Sequence, residues 1–503
     1  MSGSPLPSKS STPELVLEDD SSSKQNVVLD SEAVDGSFHR TATVNWYKLD
    51  VVILPVVTMM IFLSSLDRSN IGNAQIAGFQ EFLHMSDSQF SMALTVTLIP
   101  YTVVDLPSNL LMKVVGPRTL LPTSIILWGI TATLQGVVHN YSGLLALRFF
   151  LGVFEGGCLP GLSLYLASFY PRRQLQTRVS IVFSATSIAS AFSGLLAAAI
   201  IKMEGVGGRP GWAWLFILEG LFTIVFGFAS YFMLPDNPAA VPALTPEEQK
   251  TITAILEADG LSRAERSDFS YTMAEVGRTF VQPHVILVAL CGFFNGSALS
   301  GLSYFLPSIV EGLGWSGTKA QLMTVPPFAV SSVLSVVTSF ISDRYSCRGL
   351  NTIFFALLAA IGFSIFLGSF VNEVRYGSLF LLVPGTFSIG PPLGVWAANN
   401  SSPFTRRATA LAILPVTTNV GAILSTWLLG ALSPPPRYTS ATVTLLVFQL
   451  GIVACAAANV WWLARENARK RRARAAIAAD EGDGVVPDPA GVKDESVWFT
   501  YVL

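Results

Sequence analysis

The chain has 503 residues, 51% hydrophobic and only 13% charged, with a mean hydropathy of +0.53 and a formal net charge of −2. Soluble globular proteins carry about 25% charged residues, so the composition excludes an ordinary soluble enzyme and points to lipid as the main solvent. Four scattered cysteines with no CxxC and four dispersed histidines argue against a disulfide framework or a metal site.

Residues 1–45 are rich in Ser, Asp and Glu and contain no basic stretch leading into an apolar one. They read as a disordered tail rather than a signal peptide. Apolar blocks then follow at roughly 48–77, 88–111, 119–138, 142–169, 178–201 and 212–234. Each is near the ~20 residues that cross a hydrocarbon core of about 30 Å. A polar stretch, 235–282, separates these from six more, at roughly 283–309, 321–342, 351–370, 375–398, 407–430 and 440–464. Within the polar stretch a short helix is expected from Thr245 to Asp259, with Thr245 as N-cap, Pro246 first and Glu247–Glu248 in the first turn. The basic run Arg465–Arg474 opens a C-terminal tail, 465–503.

The expected fold is therefore an all-α membrane protein of about twelve spans in two six-helix halves, 46–234 and 283–464. Orientation follows from Lys and Arg. Connections after even-numbered spans hold Lys113, Arg118, Arg172, Arg173, Arg178, Lys250, Arg344, Arg348, Arg406 and Arg407, among others; the odd connections hold few. The even side, with both termini, is expected to be cytoplasmic. The basic turns Ser108–Arg118 and Ser342–Gly349 occupy matching places in the two halves, and repeats of this kind place a substrate site between the halves near the midplane.

Charges inside apolar blocks carry the chemistry. Arg148 and Glu155 lie seven residues apart in RFFLGVFEGGCLPG; that spacing puts both on one helix face, about 10 Å apart along the axis. Intramembrane charges cost several kcal/mol and face cavities rather than lipid. Gly152 and Gly156, and likewise Gly157 and Gly161, are spaced for close helix approach. Asp67 and Arg68, in LDRSNIGNA, are either a polar cap at the outer surface or an inward-facing pair on a helix that continues through Ile71–Phe79. Asp105, two residues before Pro107, suits a gating ion pair or a transport role. Glu219 reads as structural, while Asn295, Asn399, Asn400 and Asn419 suit either a ligand or a neighbouring helix. No P-loop, HExxH or GxSxG occurs; transport would draw on gradients rather than ATP, with no cofactor.

Five segments in order, LDRSNIGNA, YTVVDLPSNLLMK, RFFLGVFEGGCLPG with SFYPRR, GWAWLFILEGL with LPDNP, and SDRYSCRG, resemble the anion:cation symporter family of the major facilitator superfamily. The match is nearest to the fungal allantoate-permease-like branch, which includes nicotinate, pantothenate and allantoate carriers, and it covers about residues 45–465. The resemblance implies alternating access and organic-anion substrates moved with protons. It implies a cavity position for Asp67 and Arg68, Asp67 and Glu155 as proton acceptors, and Arg68 and Arg148 as carboxylate ligands. Tyr101 and Asn419 would also contact substrate, and Asp105, Asp343 and Arg344 would serve gating. Two departures stand out. Asn109 occupies a loop position usually held by Asp, and the C-terminal WFTYVL replaces the Asp-Phe-Arg-Tyr ending common in the branch.

The expected activity is proton-coupled import of a small organic anion through a multi-pass carrier, at the plasma membrane and as a monomer by default. Its partners would be that anion, a proton and the bilayer, with no nucleic acid and no enzymatic reaction. Proton-driven efflux of an acidic metabolite and a non-transporting nutrient sensor are the other readings the residues leave open.

Overall fold

The computed structural model describes residues 15–18, 24–29, 42–258, 273–345, 347–402, 404–481 and 496–502. The tail expected to lack structure carries three short antiparallel strands among its described residues: β1 Leu15–Glu18, β2 Lys24–Leu29 and β3 Ala42–Asn45. Leu15 faces Leu29, and Lys24 faces Asn45. The regular elements after β3 are all helical among the described residues.

In the first half the helices are α1 Trp46–Ala74, α2 Asp87–Val115, α3 Pro117–Gln135, α4 Tyr141–Glu155, α5 Cys158–Ala167, α6 Arg172–Ile200 and α7 Gly211–Met233. Two short helices, α8 Pro246–Ala258 and α9 Met273–Val281, lie in the connection. The second half holds α10 Pro283–Gly312, α11 Gly317–Tyr345, α12 Arg348–Gly368, α13 Asn372–Phe387, α14 Gly390–Asn399, α15 Phe404–Gly430 and α16 Thr439–Glu481. Nine helical stretches among the described residues are long and apolar enough to cross a bilayer. Helices α2, α3 and the broken pair α4–α5 complete two sets of six.

Local chemistry sets these boundaries. Ser86 opens α2 with a capping box, its hydroxyl accepting from the Gln89 amide while the Gln89 side chain accepts from the Ser86 amide. Asn140 caps α4 by accepting from the Gly143 amide at 2.7 Å. Two spans are split where the sequence places helix breakers: Gly156–Gly157 separates α4 from α5, and Gly390-Pro391-Pro392 opens α14 just after the Ser388–Ile389 break. Thr245 is the expected N-cap of α8 and also forms a reciprocal capping box with Glu248, and α8 is tied to α1 by Lys48–Glu248 at 2.8 Å.

Helix α3 packs on α7, and α10 on α15. The halves meet through three matching pairs, α1 with α10, α2 with α15 and α6 with α11. Large apolar side chains on the perimeter, such as Phe232, Val333 and Trp461, are more than half exposed; on a bundle of this kind they form the lipid-facing surface. We call the surface where α1 begins and α16 emerges the near face, and its opposite the far face.

Contacts between the halves gather toward the far face, where glycines and hydroxyls meet a few larger side chains. Ser91 donates to the Thr426 carbonyl at 3.0 Å, Trp427 donates to the Thr95 hydroxyl at 3.1 Å, and Ser308 donates to the Gln75 amide oxygen at 3.1 Å. Gly72 lies directly against the Tyr304 carbonyl, where a Cβ would have no room. Helix α1 can continue past this point because Gly78, at φ +89°, absorbs a wide turn over Gln75–Phe79.

Candidate functional site

Immediately beneath the far-face contacts lies a small cavity lined by Asp67, Arg68, Tyr101, Arg148, Glu155 and Tyr304, with Leu94, Thr97, Leu98 and Leu151 as its apolar wall. Its charged side chains come from α1 and α4, one aromatic ring from α2 and one from α10 of the other half. Packing explains why they converge. Gly152 of α4 rests on the Thr97 carbonyl and within 2.8 Å of Pro100 at its would-be Cβ, and Gly156 rests on the Tyr101 backbone. Those contacts press the Arg148–Glu155 face of α4 onto α2. Both charged residues are buried, 4% and 2% exposed, and they share one face as the seven-residue spacing predicts.

Glu155 is the hub. Its Oε1 accepts from Ser64 Oγ at 2.6 Å and from Arg68 Nη2 and Nε at 3.1 and 3.2 Å. The Arg68 guanidinium also sits over the Tyr101 ring, 4.7 Å from its centroid, a cation–π contact. Arg148 differs. Among the described residues it forms no ion pair; its Nε has no hydrogen-bond partner, and the nearest aromatic face is Phe216 at 6.0 Å. Asp67 lines the same cavity but does not ion-pair with either arginine among the described residues, and its Oδ2 is buried without a partner. Among the described residues, the one ion pair joining these two carboxylates to the two arginines is thus Arg68–Glu155.

The other expected residues fall elsewhere. Asn419 is buried on α15 but does not line the cavity. Asp105, about one helical turn beyond Tyr101 on α2, is buried outside it. The side chains of Asp343 and Arg344, at the end of α11, lie outside those described. Glu219 is 9% exposed on α7, and Asn295 is buried on α10; neither reaches the cavity. Asn400 is bonded to the C-terminal segment instead. Sequence reasoning missed Ser64, the shortest partner of Glu155, and Tyr304, the cavity's contribution from the second half. A serine or tyrosine within an apolar block carries no signal comparable to a charge.

At about 10 Å³ the cavity holds roughly one water as it stands; opened further, its two guanidinium groups, one ion-paired to Glu155 and one with no ion pair among the described residues, suit an anion. Arg148 supplies planar donors for a carboxylate, and the Arg68–Glu155 bond changes strength with the charge on Glu155.

Comparison with known proteins places this geometry in context. The profile of the Major Facilitator Superfamily matches residues 57–402 and 288–500. An uncharacterized transporter of Schizosaccharomyces pombe is 33% identical over 462 residues, covering 91% of this chain and 90% of that one. The high-affinity nicotinic acid transporter of Saccharomyces cerevisiae is 29% identical, with 84% of this chain and 78% of that one covered. Among solved structures, a D-xylose-proton symporter superposes with a TM-score of 0.62 at 17% identity, covering 81% of this chain and 97% of that one. At that identity the likeness concerns the fold.

Proposed function

The chain belongs to the Major Facilitator Superfamily, and from that premise we propose that it imports a small organic anion together with a proton by alternating access. It is a multi-pass membrane transporter, not an enzyme. The carboxylate substrate, the coupling, the inward direction and the plasma-membrane location are our reading, as are a monomeric state and a near face turned to the cytoplasm. Membership of the anion:cation symporter branch belongs to the same reading.

One observation carries it: Arg68 is ion-paired to Glu155 in the cavity where Arg148, among the described residues, forms no ion pair. Arg148 receives the carboxylate first, since guanidinium offers two parallel donors and stays charged in a dry site. A proton arriving at Glu155 removes its negative charge, and Arg68 turns from Glu155 to the substrate. Asp67 is a second acceptor on the same helix as Arg68. Tyr101 holds the Arg68 guanidinium in plane during the exchange, and Tyr304 reports occupancy to the second half. Asp105, with Asp343 and Arg344, is assigned to gating at the near face. The energetics favour such coupling. An anion entering against an inside-negative potential costs about 2.3 kcal/mol per 100 mV, which one accompanying proton cancels. The nicotinic acid relative suggests an aromatic monocarboxylate as the first compound to try.

The test is uptake of labelled nicotinate, pantothenate and allantoate by cells lacking their own carriers. Accumulation of one of them should rise on external acidification and collapse with a protonophore. Accumulation indifferent to both treatments, or none for any carboxylate, overturns the proposal.

A further inference from the structure

The described C-terminal residues, Ser496–Val502, return to the near face of the second half and lie against α14, α16 and the start of α10. What they present to the helices is mainly backbone. Asn400, the C-cap of α14, accepts from the Val502 amide at 2.7 Å and donates to the Val502 carbonyl at 2.9 Å. Asn467 of α16 closes the same two-bond ring on Tyr501, at 2.9 and 2.8 Å. Trp396 of α14 donates a further bond to the Val502 carbonyl at 3.0 Å, and Arg474 donates to the Val497 carbonyl at 2.6 Å. The Tyr501 side chain is buried, with the Lys470 ammonium 4.0 Å from its ring centroid and Trp462 and His284 at 5.8 and 6.0 Å.

Two asparagines on separate helices, each reading both the N–H and the C=O of one residue, make up a receptor for an extended peptide, in the manner of strand addition. One of those helices is built to move. Helix α14 is cut off from α13 at Ser388–Ile389, begins with Gly-Pro-Pro, and approaches α6 of the first half on the near side of the bundle. The segment bridges it to α16, on the outer side of its own half.

We propose that Trp498–Val502 is a built-in peptide strap that fastens α14 to α16 and so favours the state closed on the far face. Undocking of the strap is then a step of the transport cycle. Because the strap is tethered, its bonds form at an effective concentration near millimolar for a short linker, and the same peptide added freely must reach that range to replace it. The inference rests on alternating access but not on any substrate, so its test is separate from that of the anion.

Far-face closure can be read directly, because a Cβ built on Gly430 of α15 lies 3.5 Å from the Ser91 Cβ of α2 across the halves, the spacing a disulfide needs. In protein with Cys158, Cys291, Cys347 and Cys455 replaced by alanine, Ser91→Cys with Gly430→Cys should form a disulfide rapidly under mild oxidant. The same pair should cross-link at least about fivefold more slowly in a chain ending at Glu495 and in the full-length Asn467→Leu variant, reflecting a lower closed population. The synthetic peptide WFTYVL at millimolar concentration should restore the rate in the shortened chain; a scrambled peptide should not. Unchanged or faster cross-linking in both variants overturns the proposal. So does a slow shortened chain that WFTYVL fails to rescue beside a normal Asn467→Leu protein, which would mark misfolding rather than loss of a strap.

Discussion

Replacing Glu155 with glutamine keeps the side chain's shape and removes its charge, which isolates the switch at the centre of the proposed cycle. In the wild type, Oε1 holds three donors, Ser64 at 2.6 Å and the two Arg68 nitrogens at 3.1 and 3.2 Å. Hydrogen bonds to charged groups contribute about 1.5–3 kcal/mol each. The Arg68 side chain is 31% exposed, so solvent screens part of its pairing; about 1.5 kcal/mol, the low end, is the appropriate figure for releasing the guanidinium. A substrate that recruits Arg68 should therefore bind Glu155→Gln about tenfold more tightly at neutral pH. Wild-type affinity should improve as pH falls, because protonation does what the substitution does permanently, and the variant should keep only the weaker dependence that Asp67 supplies. Binding of labelled nicotinate, or of whichever acid the uptake screen identifies, to purified protein in nanodiscs at neutral and mildly acidic pH gives both numbers. In vesicles the variant should exchange substrate across the membrane yet fail to concentrate it. A variant that keeps the wild-type pH dependence, or binds more weakly at every pH, would refute the reasoning.

Arg148→Lys replaces a planar fork with a point charge, and should weaken anion binding by about tenfold in the same assay; an unchanged Kd would remove Arg148 from the site. Gly152→Val forces a branched side chain into the Thr97 carbonyl and Pro100. Overpacking of this kind costs about 1–3 kcal/mol, so the melting temperature should fall and transport with it, and a full-activity variant with wild-type melting would contradict the packing argument. At the near face, burial opposes the charge on Glu248, yet the Lys48 ammonium together with the Thr245 amide and hydroxyl holds its carboxyl below the usual range. A depressed carboxyl stabilises the docked α8 above its unfolded pKa of about 4.3, and that stability is lost as pH falls through the folded value. Lys48→Met should move the loss of amide-exchange protection over Pro246–Ala258 to higher pH, and an unmoved transition would show that the pair does not hold the helix.

What the chain discloses in advance follows from what lipid makes costly. Helical passes are legible because apolar blocks of bilayer length have no other economical use, and Arg148 and Glu155 stand out because charge within such blocks demands a cavity. Arg68, beside Asp67, reads equally well as a surface cap, and a cavity position for it, like a role for Tyr101, follows only from the family resemblance. The glycines at 152 and 156 announce a close helix contact without naming the partner, which is α2. Three things are not legible at all. The splitting of Asp67 from both arginines depends on side-chain directions that spacing alone does not fix. Tyr304 joins the cavity because Gly72 lets α1 touch the α10 backbone, a relation between halves that no local pattern records. The tail's docking is invisible because Asn400 and Asn467 read peptide groups, which every sequence supplies equally.

The far-face junction, with its glycines and short hydroxyls, has a mechanical corollary. Apart from Trp427 on Thr95 and the Phe90–Phe305 ring pair, surfaces of this kind have few deep knobs to withdraw, so they come apart and rejoin with little rearrangement of large side chains. Ser91, Thr95, Thr426 and Ser308 exchange one partner for water as the halves separate, and each such trade is nearly neutral. A joint made this way behaves like a latch of many small catches, with little friction for a carrier that must open it on every turnover.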